Sequence, residues 1–296
     1  MGRIGYHAFD SVFCLLLLII TAGHDKIKKA FLLQTDRGIK GGGILFVLER
    51  TYEISELVRH NMHTHSVFSK CAKKEMTLEA MIRAAERSGI KTLAVTDHSD
   101  LGDGIDTAEN FCEYKRRLQG IETSVRVLIG AELSAYGVGL CGEPYEIDKM
   151  LDFASYSHVH YHLGFWEQPE DRSPRGYAEH ELRVLNALFE TDRADNIAHP
   201  FSPLKMKFFN DEQKAATLSA ITDNELGDIL EKGERAECSW ELHTPTVFTF
   251  PDFAYRFFHI GKEAGVHFCV GTDAHELSAV APEGLAERLE KVLLKL

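Results

Sequence analysis

The stretch Thr77 to His98 reads TLEAMIRAAERSGIKTLAVTDH and holds one full structural period of the chain. Leu78, Met81, Ile82 and Ala85 recur at helical spacing over Thr77 to Ser88, and Gly89 follows as a C-cap. Leu93-Ala94-Val95-Thr96 is then a short apolar strand. Asp97 and His98 stand where that strand ends. A helix feeding a strand that ends on polar, chemistry-bearing residues is the unit of a parallel α/β sheet.

Working outward, the same period recurs. His60 to His63 opens the series, and further strand-like runs are Val125 to Ala131, Phe153 to Tyr156, Asn196 to Ala198, Ala236 to Trp240 and Phe268 to Gly271. Helical stretches fall at Tyr177 to Glu190, at Phe253 to Ala264 before Gly265, and at Glu283 to Leu296. About seven such βα units close most economically into a TIM-like α/β barrel. Residues 59–296 suit one domain of that kind, with residues 1–58 as an N-terminal extension.

In parallel barrels the functional groups gather at the C-terminal ends of the strands. His63 and His65 follow the first strand, Asp97 and His98 the second, and Glu132 the third. His158, His160 and His162 alternate after the fourth, His199 follows the fifth, and Asp273 and His275 follow the last. Residues at i and i+2 on extended chain point the same way, so His63 and His65 can bind one ion together. A single histidine is ordinarily a surface or hydrogen-bonded core residue. Six successive strand ends bearing such groups are not explained that way. His60, His180, His243, His259 and His267, with His7 and His24, are read as structural, although Glu241 and His243 beyond the sixth strand are also placed to line a pocket.

His63-Thr64-His65-Ser66 with Ser69, Thr96-Asp97-His98, Gly130-Ala131-Glu132, His160, Ala198-His199-Pro200 and Thr272-Asp273-Ala274-His275 together resemble the ordered motifs of the PHP (polymerase and histidinol phosphatase) superfamily. The resemblance covers residues 59–296. It implies a distorted barrel of seven βα units holding up to three divalent ions. By resemblance, His63, His65, Glu132 and Asp273 bind one ion. Glu132 bridges to a second held by His160 and His199, and His98 and His275, with Cys71 as a possible further ligand, hold a third. His158 is an alternative to His160, and Asp97 is either an outer partner of a ligand histidine or a ligand itself. Asn61, Lys70 and Cys71 depart from the residues often found at their places in that family.

Imidazole-rich sites with a few carboxylates suit Zn²⁺, Mn²⁺ or Fe²⁺ better than Mg²⁺ or Ca²⁺. The chemistry implied is hydrolysis of a small phosphorylated metabolite, of the histidinol-phosphatase type, by a metal-activated hydroxide. Glu132, Asp97 and Asp273 are then the protein's catalytic carboxylates. Arg172 and Arg175, in the stretch Leu163 to Gly176, are candidates to fork onto a phosphate. Two other classes compete. One is an amidohydrolase-like C–N hydrolase, which commonly bridges its metals with a modified lysine. The other is a non-catalytic, metal-binding regulatory module.

Composition trims the alternatives. The 33 Lys and Arg against 45 Asp and Glu give a net charge of −12, which disfavours a broad nucleic-acid surface. Six scattered cysteines without a CxxC pair read as reduced thiols in a cytoplasmic protein. Val12 to Ile20 is an unbroken apolar run, too short for the ~20 residues of a membrane span. Preceded by Arg3, it resembles a secretory signal peptide, which would mean export. An extra helix or tail, or an upstream extension foreign to the native protein, fits residues 1–58 equally. The oligomeric state is left open.

Overall fold

The computed structural model describes residues 46–99 and 107–296. The apolar run at 12–20 lies outside the described residues. The strands are β1 (His60–Asn61), β2 (Thr92–His98), β3 (Arg126–Gly137), β4 (Leu140–Cys141), β5 (Phe153–Ser157), β6 (Asn196–Ile197), β7 (Ser239–His243) and β8 (Phe268–Gly271). Seven of them pair in parallel in the order β1-β2-β3-β5-β6-β7-β8, and β8 returns to β1, so the sheet closes. β4 stands outside the ring as the antiparallel partner of the far end of β3. The expected seven-unit TIM-like barrel is the fold found.

Local chemistry sets the helix boundaries. Thr77 caps the helix Leu78–Arg87 through Ala80 N, and Gly89 ends it with φ 71°. Ser173 caps Pro174–Leu188, and a reciprocal Thr222/Glu225 capping box starts Asp223–Arg235. Three helices of ten or more residues escaped the reading of the sequence: Thr107–Leu118, Asp211–Ala220 and Asp223–Arg235. No helix of the described residues is long and apolar enough to cross a membrane.

The barrel interior is layered. Ala94, Leu128, Phe153 and Cys269 plug its floor together with Met62. Two residues further along come Thr96, Gly130, Ser155 and Gly271, all small. Gly130 is required there, because a Cβ would overlap the Phe153 carbonyl. Two residues beyond those lie His98, Glu132 and Asp273. The register aligns the layers across neighbours: Ala94 faces Leu128, Thr96 faces Gly130 and His98 faces Glu132. Residues 46–58 cover the closed end. Val47 and Leu48 pack on the floor, Phe46 stacks on His267 at 3.4 Å, and Arg50 Nη1 donates to Gly265 O at 2.6 Å.

Candidate metal centre

The chain delivers His63 and His65 by prolonging β1. His65 N donates to Ala274 O (2.9 Å) and Thr96 N to Thr64 O (2.8 Å), which holds residues 62–65 between β2 and β8 in near-strand form. Both imidazoles are fully buried. Glu132 sits where β3 leaves the ring, and the strand then runs on to Gly137 instead of ending at Ala131 as expected. His199 and Asp273 arrive with φ of 31° and 51°. Non-glycine residues in that region carry strain of roughly 1–3 kcal/mol each and cluster at functional sites.

Glu132 is the centre. Its Oε1 faces His199 Nε2 at 2.7 Å and His160 Nε2 at 3.5 Å. Its Oε2 faces His98 Nδ1 at 3.1 Å and the Nε2 atoms of His63 and His65, both at 3.6 Å. Asp273 Oδ1 adds contacts to His65 Nε2 (2.9 Å) and His63 Nε2 (3.6 Å). His63 Nε2 and His65 Nε2 lie 3.1 Å apart.

These distances fit a shared cation. Zinc–nitrogen and zinc–oxygen bonds of roughly 2.0–2.2 Å in a tetrahedron separate neighbouring donors by about 3.4 Å. The 3.5–3.6 Å separations around Glu132 and Asp273 are of that size. Potential ligand atoms lie within 4.8 Å of one another in four overlapping groups: His63/His65/Asp273, His63/Glu132/His199, His65/His98/Glu132 and His65/Cys71/His275. The wiring agrees. His63 Nδ1 donates to the Glu241 carboxylate at 3.0 Å, which leaves Nε2 as the ring atom facing Glu132 and Asp273. His65 Nδ1 meets Ser69 Oγ at 3.3 Å.

Electrostatics holds the carboxylates ionised. Burial pushes the Glu132 carboxyl up, but the His98, His160 and His199 imidazoles outweigh it and hold the group well below the usual range. Asp273 behaves alike, with burial overcome by His243, His63 and His65. Burial holds His160 well below the ordinary imidazole value, which leaves it neutral. Burial raises the Cys71 thiol, yet hydrogen bonds with His275 and His98 outweigh this and bring it down to about 7.

Of the residues expected at the site, His63, His65, His98, Glu132, His160, His199 and Asp273 converge. His275 stacks on His65 at 4.6 Å and shares Cys71 with His98 at the rim. Asp97 stands one step back: its Oδ1 accepts from Ser66 N (2.8 Å) and Ser69 Oγ (2.6 Å), its Oδ2 from Ser66 Oγ (2.5 Å). Ser69 carries this on to His65. His158 is not in the cluster. Neither of its ring nitrogens has a hydrogen-bond partner, its ring lies edge-on to Phe201 at 5.6 Å, and burial lowers its pKa to about 3.

Two expectations need correction. Arg175 spends its guanidinium on Glu225, Glu179 and Ala220 O, which leaves no fork for a phosphate. Arg172 is held by Gln168 Oε1 (3.1 Å) and Tyr177 OH (3.4 Å). Conversely, Glu241 and His243 are inside β7, not beyond the sixth strand, and both are buried in the cluster. His243, read first as structural, places Nε2 3.5 Å from Asp273 Oδ2 while its Nδ1 is held by Thr246 at 2.6 Å. The parity of Ser239, Glu241 and His243, with Trp240 and Leu242 facing the helices, was the signal available.

Comparison with known proteins gives the same region. The PHP domain model matches residues 61–228. A Vibrio parahaemolyticus protein named "Probable phosphatase" is 28% identical over 234 residues, covering 77% of this chain and 83% of its own. A protein of the same name from Acetivibrio thermocellus is 28% identical over 220 residues, covering 72% and 78%. The crystal structure of histidinol phosphate phosphatase from Lactococcus lactis, complexed with zinc, L-histidinol and phosphate, superposes with a TM-score of 0.54. It is 16% identical, covers 77% of this chain and 92% of its own, and so speaks to the fold.

Proposed function

Since the chain belongs to the PHP domain family, we propose that it is a metal-dependent phosphoesterase that hydrolyses a small phosphorylated metabolite, with histidinol phosphate as the first substrate to try. Relatives named phosphatases support a hydrolase of phosphate esters. The observation that carries the reading is Glu132, a buried carboxylate with both oxygens faced by imidazoles brought from the ends of β1, β2, β5 and β6.

Up to three ions are proposed. His63, His65, Glu132 and Asp273 hold the first, Glu132, His160 and His199 the second, and His98, His275 and Cys71 the third. The donor set favours Zn²⁺, Mn²⁺ or Fe²⁺. Bound there, such ions supply the Lewis acidity that this slow hydrolysis requires. The protein's own part is geometric and electrostatic. Glu132 spans two sub-sites and keeps its charge. His63 presents Nε2 inward because its Nδ1–H donates to the Glu241 carboxylate. Asp97, through Ser69, sets the direction of His65. Trp166 lies against the His160 ring at 5.4 Å.

The test is turnover. Protein stripped of metal and reconstituted with Mn²⁺ or Zn²⁺ should hydrolyse a generic phosphomonoester, and histidinol phosphate should be compared with other small phosphorylated metabolites. Protein that binds the ions yet cleaves no phosphomonoester, while hydrolysing amides or nothing, would overturn the assignment.

A further inference from the structure

We propose that Glu241 is a positioning residue shared by two of the metal sub-sites, so that the binding of the first two ions depends on one common support. The inference rests on the metal-centre reading above and adds a residue and a shared support to it. Glu241 is a fully buried carboxylate in the middle of β7. One oxygen, Oε1, accepts from Nδ1 of His63 at 3.0 Å. The other, Oε2, accepts a short hydrogen bond from the backbone N–H of His199. His63 belongs to the first sub-site and His199 to the second. One rigid group therefore sets the ring orientation of one ligand and the backbone of another.

Three further observations support this role. His199 has φ 31°, a conformation that must be held from outside, and the bond from its N–H to Glu241 is the hold available at that atom. The space for the carboxylate is reserved by Gly271 on neighbouring β8, where a Cβ would overlap both Glu241 Oε1 and the His63 side chain. Both hydrogen-bond partners of Glu241 are donors, so the site demands an acceptor on each oxygen. A carboxylate meets that demand and an amide cannot.

Glu241→Gln is accordingly a diagnostic change with almost no change in volume. The amide nitrogen must face either His199 N–H, donor against donor, or His63. If it faces His63, it forces the proton onto Nε2, the atom aimed at the ion. Outer-shell partners of this kind typically contribute roughly 10–100-fold in metal affinity.

The experiment is calorimetric titration of apo-protein with Zn²⁺ or Co²⁺, reading the affinity of each binding step, with far-UV circular dichroism to check the fold. His160→Ala, which removes a ligand of the second sub-site only, should weaken one step. Glu241→Gln should weaken two steps, each by about 10–100-fold. Glu241→Gln that loses one step only, or binds like wild type, overturns the shared support. Long-range ¹⁵N correlation NMR of wild-type apo-protein provides a second arm that needs no substitution: His63 should carry its proton on Nδ1, and a proton on Nε2 alone would overturn the role of Glu241. If wild-type protein binds no ion at all, the metal-centre reading fails instead, and the two failures are told apart.

Discussion

Leu128 and Glu132 lie four residues apart on the same face of β3, and Cys269 and Asp273 are related in the same way along β8 and its extension. Leu128 and Cys269 plug the barrel floor with Phe153, and Glu132 and Asp273 line its mouth with imidazoles. Both ends are buried, so the contrast is one of chemistry rather than exposure. At the floor, burial stabilises the chain, since apolar area removed from water contributes about 25 cal/mol per Å². At the mouth, burial of charged and polar groups costs folding free energy unless partners compensate. The layer of Thr96, Gly130, Ser155 and Gly271 separates the two regimes by keeping side-chain bulk out of the middle. The floor is therefore where the fold is held, and the mouth is where stability is given up to gather potential metal ligands.

That contrast predicts opposite readouts for substitutions a few ångströms apart. The largest effect belongs to the floor. Phe153→Ala should destabilise the protein by about 3–5 kcal/mol in denaturant unfolding, while the molecules that remain folded bind the wild-type number of ions. Loss of metal without loss of stability in this variant would break the distinction. Next comes the mouth: Asp273→Asn should lower phosphatase kcat/KM by roughly 10²–10³-fold, with the apo-protein melting no earlier than wild type. A large drop in apo stability would mean that the mouth, too, is holding the fold.

A smaller effect is expected one layer out. Asp97 accepts three hydrogen bonds from Ser66 and Ser69, so Asp97→Asn turns an amide donor toward at least one of those donors and loosens His65. Metal affinity should fall by about 10–100-fold, with the overall fold retained. Titration giving unchanged affinity would reduce Asp97 to a loop-closing role.

The smallest effect concerns Glu181, fully buried on the helix Pro174–Leu188 with no hydrogen-bond partner for either oxygen. Burial raises its pKa well above the ordinary 4.5. The fold tolerates the neutral form, whereas the unfolded chain ionises above 4.5, so this group's contribution is present below that pH and is lost as pH rises. Glu181→Gln stays neutral throughout. Its melting temperature should exceed wild type by an amount corresponding to about 1 kcal/mol or more near neutrality, with the gain shrinking toward about pH 4. A gain that is absent or grows toward acid would contradict the assignment.

The floor and most of the mouth were legible in the sequence, because parallel strands announce themselves as short apolar runs and the polar residue after each run marks its end. His63, His65, His98, Glu132, His160, His199 and Asp273 were all expected to meet there in this way, and the fold brings them together. Glu241 was expected beyond the sixth strand rather than within it, and the reason is local. The sixth strand was expected at Ala236–Trp240, but Glu237 adopts φ 57° and Cys238 N returns to Gly233 O, so those apolar residues finish a helix. The strand starts at Ser239, three residues later, and carries Glu241 and His243 inward. Arg175 failed for a different reason: its partner Glu225 is fifty residues away in sequence. A pattern of local periodicity holds no information about such a pairing.

Glu132, on the proposed reading, gathers imidazoles from several strands around shared cations. Elemental analysis of the protein purified without added metal, beside Glu132→Gln of verified fold, tests it most directly. Two or more Zn, Mn or Fe ions per wild-type chain, falling to one or none in the variant, is the predicted result. Wild-type protein that retains no transition metal and takes up none on titration would contradict the account.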